Sequence, residues 1–183
     1  MSRENVLAFK TLLTSAINVT EGEFWECGVY QGGSASLMHS MIPTDRKIRL
    51  FDSFEGLPEA CEHDNYHKRG DFNDVNLQTI MTYFSDKPNV EIRKGWIPDT
   101  FAGLEDCSIT FCHLDLDLYE GYVATLNFVW PRLVKGGIIV FDDYQAPSCL
   151  GARLAVDQFI AANNIQLQTE LINFPHAAWI IKN

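Results

Sequence analysis

Seven consecutive residues, Ile138-Ile139-Val140-Phe141-Asp142-Asp143-Tyr144, limit the folds open to this chain more than any other stretch. Four large apolar side chains following Gly136 and Gly137 suit a strand buried on both faces, as in a parallel sheet covered by helices. The acids Asp142 and Asp143 then fall at the strand's carboxyl end, where open α/β sheets bind ligands. Adjacent carboxylates repel unless a proton or a cation separates them. A hard divalent cation held through oxygen is the expectation. Ser108 to Leu114 repeats the pattern and runs into Asp115-Leu116-Asp117. Neighbouring parallel strands lie about 5 Å apart, so Asp115, Asp142 and Asp143 are expected to converge on one metal ion. The competing reading is that these acids only punctuate strand ends as turn and cap residues.

The rest of the chain supports an α/β reading. Residues 4–18 have helical apolar spacing, and Glu23 to Val29 reads as the first strand, followed by a helix over Ser34 to Met41. Further strands are expected at Lys47 to Phe51, Val90 to Arg93, Ser108 to Leu114 and Gly137 to Phe141. Helices are expected at Leu77 to Phe84, 119–133 and Gly151 to Asn163. Strands alternating with helices predict a Rossmann-like, doubly wound, mostly parallel sheet. Gln166 to Ile172 and Ala177 to Ile181 are separated by a short segment containing Pro175, so they are expected as antiparallel neighbours. Such an ending favours methyltransferases over dehydrogenases.

At 183 residues the chain is sized for one domain, read as 1–183 with a short N-terminal helix. A formal net charge of −10 and the lack of any basic run argue against nucleic acid or an anionic membrane as partner. No apolar run is long enough to span a membrane, and MSRENVLAFK lacks a signal peptide's apolar core, so the expected compartment is cytoplasmic. The five cysteines are odd in number and form no CxxC, which fits a reduced protein without a disulfide framework.

Candidate ligand-binding residues follow in chain order. The loop Glu26-Cys27-Gly28-Val29-Tyr30-Gln31-Gly32-Gly33-Ser34 joins the first strand to a helix start with free N–H groups. Its glycines are not spaced GxGxxG, which disfavours a dinucleotide pyrophosphate. An acid at Glu26 suits a cationic cofactor, and S-adenosylmethionine carries a sulfonium and an ammonium. Asp52, followed by Ser53, ends the second strand, where a carboxylate can accept bonds from both ribose hydroxyls. Gly95 and Trp96 end the third, where Trp96 either stacks on an adenine or belongs to the core. Cys61, His63 and His67 invite a zinc reading, but four ligands at a standard spacing are missing. His113 is either a core histidine or a supporting neighbour of Asp115, and Tyr119 or Glu120 is placed to edge a pocket.

The segments GEFWECGVYQGGSA, LFDSFEGLP, KGWIPDTF, HLDLDLYE, PRLVKGGIIVFDDY and GARLAVDQF occur in this order from about residue 22 to about residue 160. Together they resemble the macrocin O-methyltransferase (TylF-type) family. The resemblance implies a seven-stranded class I methyltransferase fold, S-adenosylmethionine as cofactor, and Mg2+ or another divalent cation. It implies methyl transfer to a hydroxyl of a small molecule, notably a sugar in a natural product. By the same resemblance the Glu26 to Ser34 loop, with Gly28, Tyr30 and Gly33, holds the methionine moiety, and Asp52 holds the ribose. Asp115, Asp142 and Asp143 are the implied metal ligands, with Asp115 also the general base and Asp117 a less favoured third ligand. Family members carry longer N-terminal segments that help cover the site, so a larger substrate, a more exposed one, or cover from a second subunit, as in a homodimer, is expected here. Gly121-Tyr122 stand where the family often has small hydroxyl residues, which bears on the acceptor. The alternatives are a metal-independent methyltransferase and a non-catalytic cofactor-binding subunit of a larger enzyme.

Overall fold

The structure is a computed structural model that describes residues 3–19, 21–169 and 177–183. Six strands form one sheet in the order β3-β2-β1-β4-β5-β6. They are β1 Glu23–Cys27, β2 Ile48–Asp52, β3 Val90–Lys94, β4 Ile109–Leu114, β5 Leu133–Phe141 and β6 Ala178–Ile181. All pairings are parallel except β5 with β6, which is antiparallel. The helices are α1 Arg3–Ile17, α2 Gly33–Met41, α3 Leu77–Phe84, α4 Tyr119–Arg132 and α5 Leu150–Asn163. Among the described residues no helix is long and apolar enough to cross a membrane.

The period-2 geometry of the strands builds two apolar layers. Phe24, Leu50, Phe111 and Ile138 pack on one face against Phe9 and Leu13 of α1 and Met38 of α2. Trp25, Phe51, Cys112 and Ile139 pack on the other against Tyr122 and Leu126 of α4 and Val156 of α5. Every residue of β4 is buried, as expected of a central strand covered on both sides.

The sheet departs from expectation at its edge. The resemblance implies seven strands, and six are present among the described residues. In the expected strand at Gln166 to Ile172, the described part makes one antiparallel bridge, Gln168 to Trp179, which is too little for a ladder. Residues 170–172 of that stretch lie outside the described residues. β1 also stops at Cys27, because Gly28 turns the chain at φ 91°. A side chain at Gly28 has no room: its Cβ would stand 2.7 Å from the carbonyl carbon of Asp115 and closer still to the oxygen. The first strand's exit and the acid at the end of β4 are therefore in direct contact.

Candidate functional site

A cavity of 510 Å³ opens at the carboxyl ends of β1, β2 and β4. That volume lies within the range of small-molecule and cofactor sites. Gly28, Tyr30, Asp52, Ser53, Gly95, Trp96 and Asp115, all singled out from the sequence, line it. Glu26, Gly33 and Ser34 do not. Glu26 is buried beneath the wall, and Gly33 and Ser34 open α2 behind Gly32. Trp96 is 40% exposed, so it is a wall of the cavity and not a core residue.

Asp52 organises the two loops above it. Its Oδ2 accepts the N–H groups of Val29 (2.7 Å) and Tyr30 (2.9 Å), and its Oδ1 accepts that of Phe54 (2.6 Å). These bonds hold Tyr30 and Phe54 at positive φ, a conformation that only a well-determined loop sustains.

The acids of β4 and β5 gather at the opposite end. Parallel pairing of Leu114 with Phe141 sets Asp115 beside Asp142, as the sequence suggested. One ligand atom from each of His113, Asp115 and Asp142 lies within 4.8 Å of the others. Asp143 turns the other way: its Oδ2 accepts the Asp117 N–H (3.0 Å) and the Tyr122 hydroxyl (2.8 Å). Tyr122 is fully buried, and its hydroxyl also lies 3.0 Å from the Leu114 carbonyl. Sequence reasoning missed this support, because a tyrosine on the apolar face of a helix carries no signal of its own.

His113 proves to be both core and support. Its Nδ1 is 3.0 Å from Glu26 Oε1 and its Nε2 is 3.4 Å from Asp142 Oδ1. Burial opposes the imidazolium, but the hydrogen bonds to Asp142 and Glu26 outweigh it and raise the pKa well above the usual range. Held between Glu26 and Asp142, His113 is a positioning group for Asp142. The second oxygen of Glu26, Oε2, is buried and unpartnered.

The carboxylates are uncomfortable without a cation. Burial, then Asp143 and Asp142, pushes Asp115 well above the usual carboxylate range. Burial and Asp142 raise Asp143, and burial followed by Asp143 raises Asp117 to about 7. Oxygen donors crowded in this way suit a hard divalent ion, and Asp115 and Asp142 fit its donor chemistry.

The segment 55–76 covers the cavity: Gly56, Leu57, Pro58 and Phe72 belong to the wall. It is tied down by polar bonds that its composition did not reveal. Asp64 Oδ1 accepts the Tyr119 N–H (2.9 Å) at the start of α4, and Asn65 Oδ1 accepts the Leu150 N–H (3.2 Å) at the start of α5. Both are helix N-terminal donors satisfied from far away in sequence. Cys61, His63 and His67 do not converge. His63 packs on the Tyr119 ring (4.5 Å), whereas His67 meets Asp117 and Cys149. Glu120 lines the cavity, and Tyr119 instead donates to Gln158 (2.8 Å).

Comparisons with known proteins identify the family and the fold. The family model described as Macrocin-O-methyltransferase (TylF) matches residues 6–180. A Streptomyces olivaceus protein, 8-demethyl-8-(2,3-dimethoxy-alpha-L-rhamnosyl)-tetracenomycin-C 4'-O-methyltransferase, is 30% identical over 146 residues, or 72% of this chain and 56% of that protein. Mycinamicin III 3''-O-methyltransferase from Micromonospora griseorubida is 28% identical over 145 residues, 70% of this chain and 57% of that protein. This chain thus spans a little over half the length of these curated relatives. The solved structure of the O-methyltransferase NovP superposes with a TM-score of 0.82 at 24% identity, covering 98% of this chain and 80% of that one. Calicheamicin methyltransferase CalS11 gives 0.82 at 22%, covering 96% and 77%. These two show a shared fold. The family match extends over nearly the whole chain, and the chain belongs to the macrocin O-methyltransferase family.

Proposed function

We propose that this member of the macrocin O-methyltransferase family moves the methyl group of S-adenosylmethionine to a hydroxyl of a sugar or glycosylated small molecule, with a divalent cation, Mg2+ by preference, at the acids of β4 and β5. The carrying observation is a single cavity with Asp52 and Trp96 at one end and Asp115 at the other. The same reading treats residues 1–183 as one methyltransferase domain.

The wall fits the cofactor. Trp96 offers an exposed ring on which an adenine stacks, and Asp52 keeps about one acceptor site beyond its three amide bonds for a ribose hydroxyl. Gly28 lets the β1 exit lie flush beside Asp115, so the methionine end rests where the acids begin. Glu26, with Gly33 and Ser34 at the start of α2, stands behind this wall and shapes it from beneath.

Sulfonium-to-oxygen methyl transfer needs a nucleophilic oxygen aligned with the methyl carbon. Asp115 and Asp142 would hold a divalent cation, whose Lewis acidity would lower the pKa of the acceptor hydroxyl. Asp115 accepts the hydroxyl proton, because it is the acid shared by the cavity wall and the ligand cluster. His113, braced by Glu26, fixes Asp142, and Tyr122 with the Asp117 N–H fixes Asp143 beside it. The cover segment supplies part of the cavity wall through Gly56, Leu57, Pro58 and Phe72. Two relatives are named for methylating rhamnosylated tetracenomycin and mycinamicin III, which supports a glycosylated acceptor.

A specific observation favours a second reading, a metal-independent methyltransferase: His113, which Asp142 and Glu26 push toward its charged form, already faces the acid cluster at 3.4 Å from Asp142 Oδ1. Labelled S-adenosylmethionine and a rhamnosylated acceptor, assayed with and without chelator, separate the two. Activity lost in chelator, restored by Mg2+ and at least about 100-fold lower in Asp142→Asn is the expected result. Full activity in chelator points to the metal-independent reading, and none under any condition contradicts both.

A further inference from the structure

We propose that His67, Asp117 and Cys149 form a second cation site, for zinc or a similar borderline-soft divalent ion, which clips the cover segment shut over the cavity. One ligand atom from each lies within 4.8 Å of the other two. The edges of that triangle are 3.5 Å for His67 Nε2 to Asp117 Oδ1, 3.6 Å for His67 Nε2 to Cys149 Sγ, and 3.6 Å for Cys149 Sγ to Asp117 Oδ1. A nitrogen-to-oxygen separation of 3.5 Å is too long for a good hydrogen bond. It is the right length for two ligands of one ion. Tetrahedral zinc with ordinary bond lengths sets nitrogen–oxygen, nitrogen–sulfur and oxygen–sulfur edges of about 3.4, 3.6 and 3.6 Å.

The surroundings agree. His67 Nδ1 lies 3.4 Å from Asp71 Oδ2, longer than a good hydrogen bond, which puts that carboxylate on the side of the ring away from Asp117 and Cys149, where the outer partner of a metal-bound imidazole belongs. Asp71 is itself held by the Lys68 N–H (3.0 Å), which lowers its pKa and keeps it ionised. Cys149 is the N-cap of α5 and Asp117 lies two residues before α4, so both anionic ligands lie near the positive ends of helices. One carboxylate, one thiolate and a neutral imidazole balance a divalent ion to zero net charge, as a buried site requires. When the ion binds, a sulfur–metal bond replaces the S–H bond and the proton leaves to solvent, with no change of oxidation state.

A Cys–His–Asp line also resembles a nucleophilic triad. Burial and the neighbouring acids Asp143 and Asp117 instead keep the Cys149 thiol protonated, and its side chain is closed off from solvent. The donor set differs from that of Asp115 and Asp142: sulfur and imidazole select zinc-like ions, whereas oxygen alone suits magnesium. The chain would thus sort two cations by donor type. The clip joins points 82 residues apart in sequence and adds to the Asp64 and Asn65 anchors of the same segment.

The test uses the full chain stripped with chelator and titrated with Co2+, whose charge-transfer absorption appears only when a thiolate binds the metal. One equivalent of cobalt is expected to give the band. Cys149→Ser should abolish it, Asp71→Asn should weaken binding about 10–100-fold, and Asp142→Asn should retain it. Zinc at a hundredfold excess over its Kd should raise the thermal midpoint by about 5–10 °C. No band in the unaltered chain, or a band that survives Cys149→Ser, overturns the proposal. Should Cys149→Ser fail to fold, unchanged affinity in Asp71→Asn overturns it equally. Because the readout is metal–sulfur absorption, its failure is separate from failure of cofactor binding or methyl transfer.

Discussion

Replacing Gly28 by alanine tests the contact on which the site's geometry depends. Gly28 has φ 91°, where an L side chain costs about 1–2 kcal/mol. The added Cβ would stand 2.7 Å from the Asp115 carbonyl carbon, whereas carbon atoms pack at about 3.5–4.0 Å. The Asp115 carbonyl oxygen is nearer still, so the exit of β1 and the end of β4 would part by more than about 1 Å, an overpacking cost of about 1–3 kcal/mol. The sum is about 2–5 kcal/mol, which in a domain of this size lowers the melting temperature by about 4–20 °C. Gly33→Ala is the internal control. A Cβ there meets nothing within 4 Å, and Gly33 opens α2 without positive φ. Alanine at that position should be neutral or stabilising by up to about 1 kcal/mol. Thermal unfolding followed by circular dichroism, side by side, reads both. Gly28→Ala melting within about 1 °C of the unaltered chain would refute the close approach of the loop to Asp115.

Three further outcomes are expected. Asp64→Ala removes the acceptor for the Tyr119 and Cys61 N–H groups and should cost about 1–2 kcal/mol by chemical denaturation, with faster proteolysis inside 55–76; unchanged cleavage would show that the segment is held by other contacts. Tyr122→Phe strips Asp143 of a buried hydrogen bond and should cost about 1–3 kcal/mol and weaken Mg2+ binding by calorimetry; unaltered binding would separate Asp143 from the metal. The third is a pH effect in the metal-free protein. His113 has a folded pKa raised well above its unfolded value, so its contribution is complete below about pH 6.5 and lost as pH rises through the folded pKa. Asp117, raised to about 7, also binds its proton more tightly when folded, so its contribution fades in the same sense up to about 7. Urea unfolding between about pH 6 and 8 should show stability falling with pH, less steeply in Asp117→Asn; a rising slope would contradict both assignments.

The sheet was legible because its signals are local. Apolar runs ending in Asp52, Asp115 and Asp142 marked β2, β4 and the carboxyl end of β5, since buried parallel strands must be apolar and must stop where polar groups begin, but β5 starts at Leu133, four residues before the expected Gly137. The glycine loop marked the β1 exit for the same reason. What stayed hidden depends on contacts between distant segments. Nothing near Asp64 and Asn65 in the sequence points to the starts of α4 and α5, yet they hold them. His67 looked like the partner of Cys61 and His63 because it is near them in sequence, but the fold carries it to Asp117 and Cys149. Tyr122 read as a departure at the acceptor site, whereas it lies buried beneath Asp143.

The most direct test of the central claim, that the cavity at the ends of β1, β2 and β4 holds S-adenosylmethionine, is calorimetric titration of the unaltered chain and of Trp96→Ala, with NAD as control. Trp96 is exposed on the cavity wall, so its removal leaves the core intact. The account predicts one equivalent of S-adenosylmethionine bound, no NAD, and affinity about 5–150-fold weaker without the indole, the worth of one base stacked on an aromatic ring. No heat with S-adenosylmethionine, or equal affinity in Trp96→Ala, would contradict it.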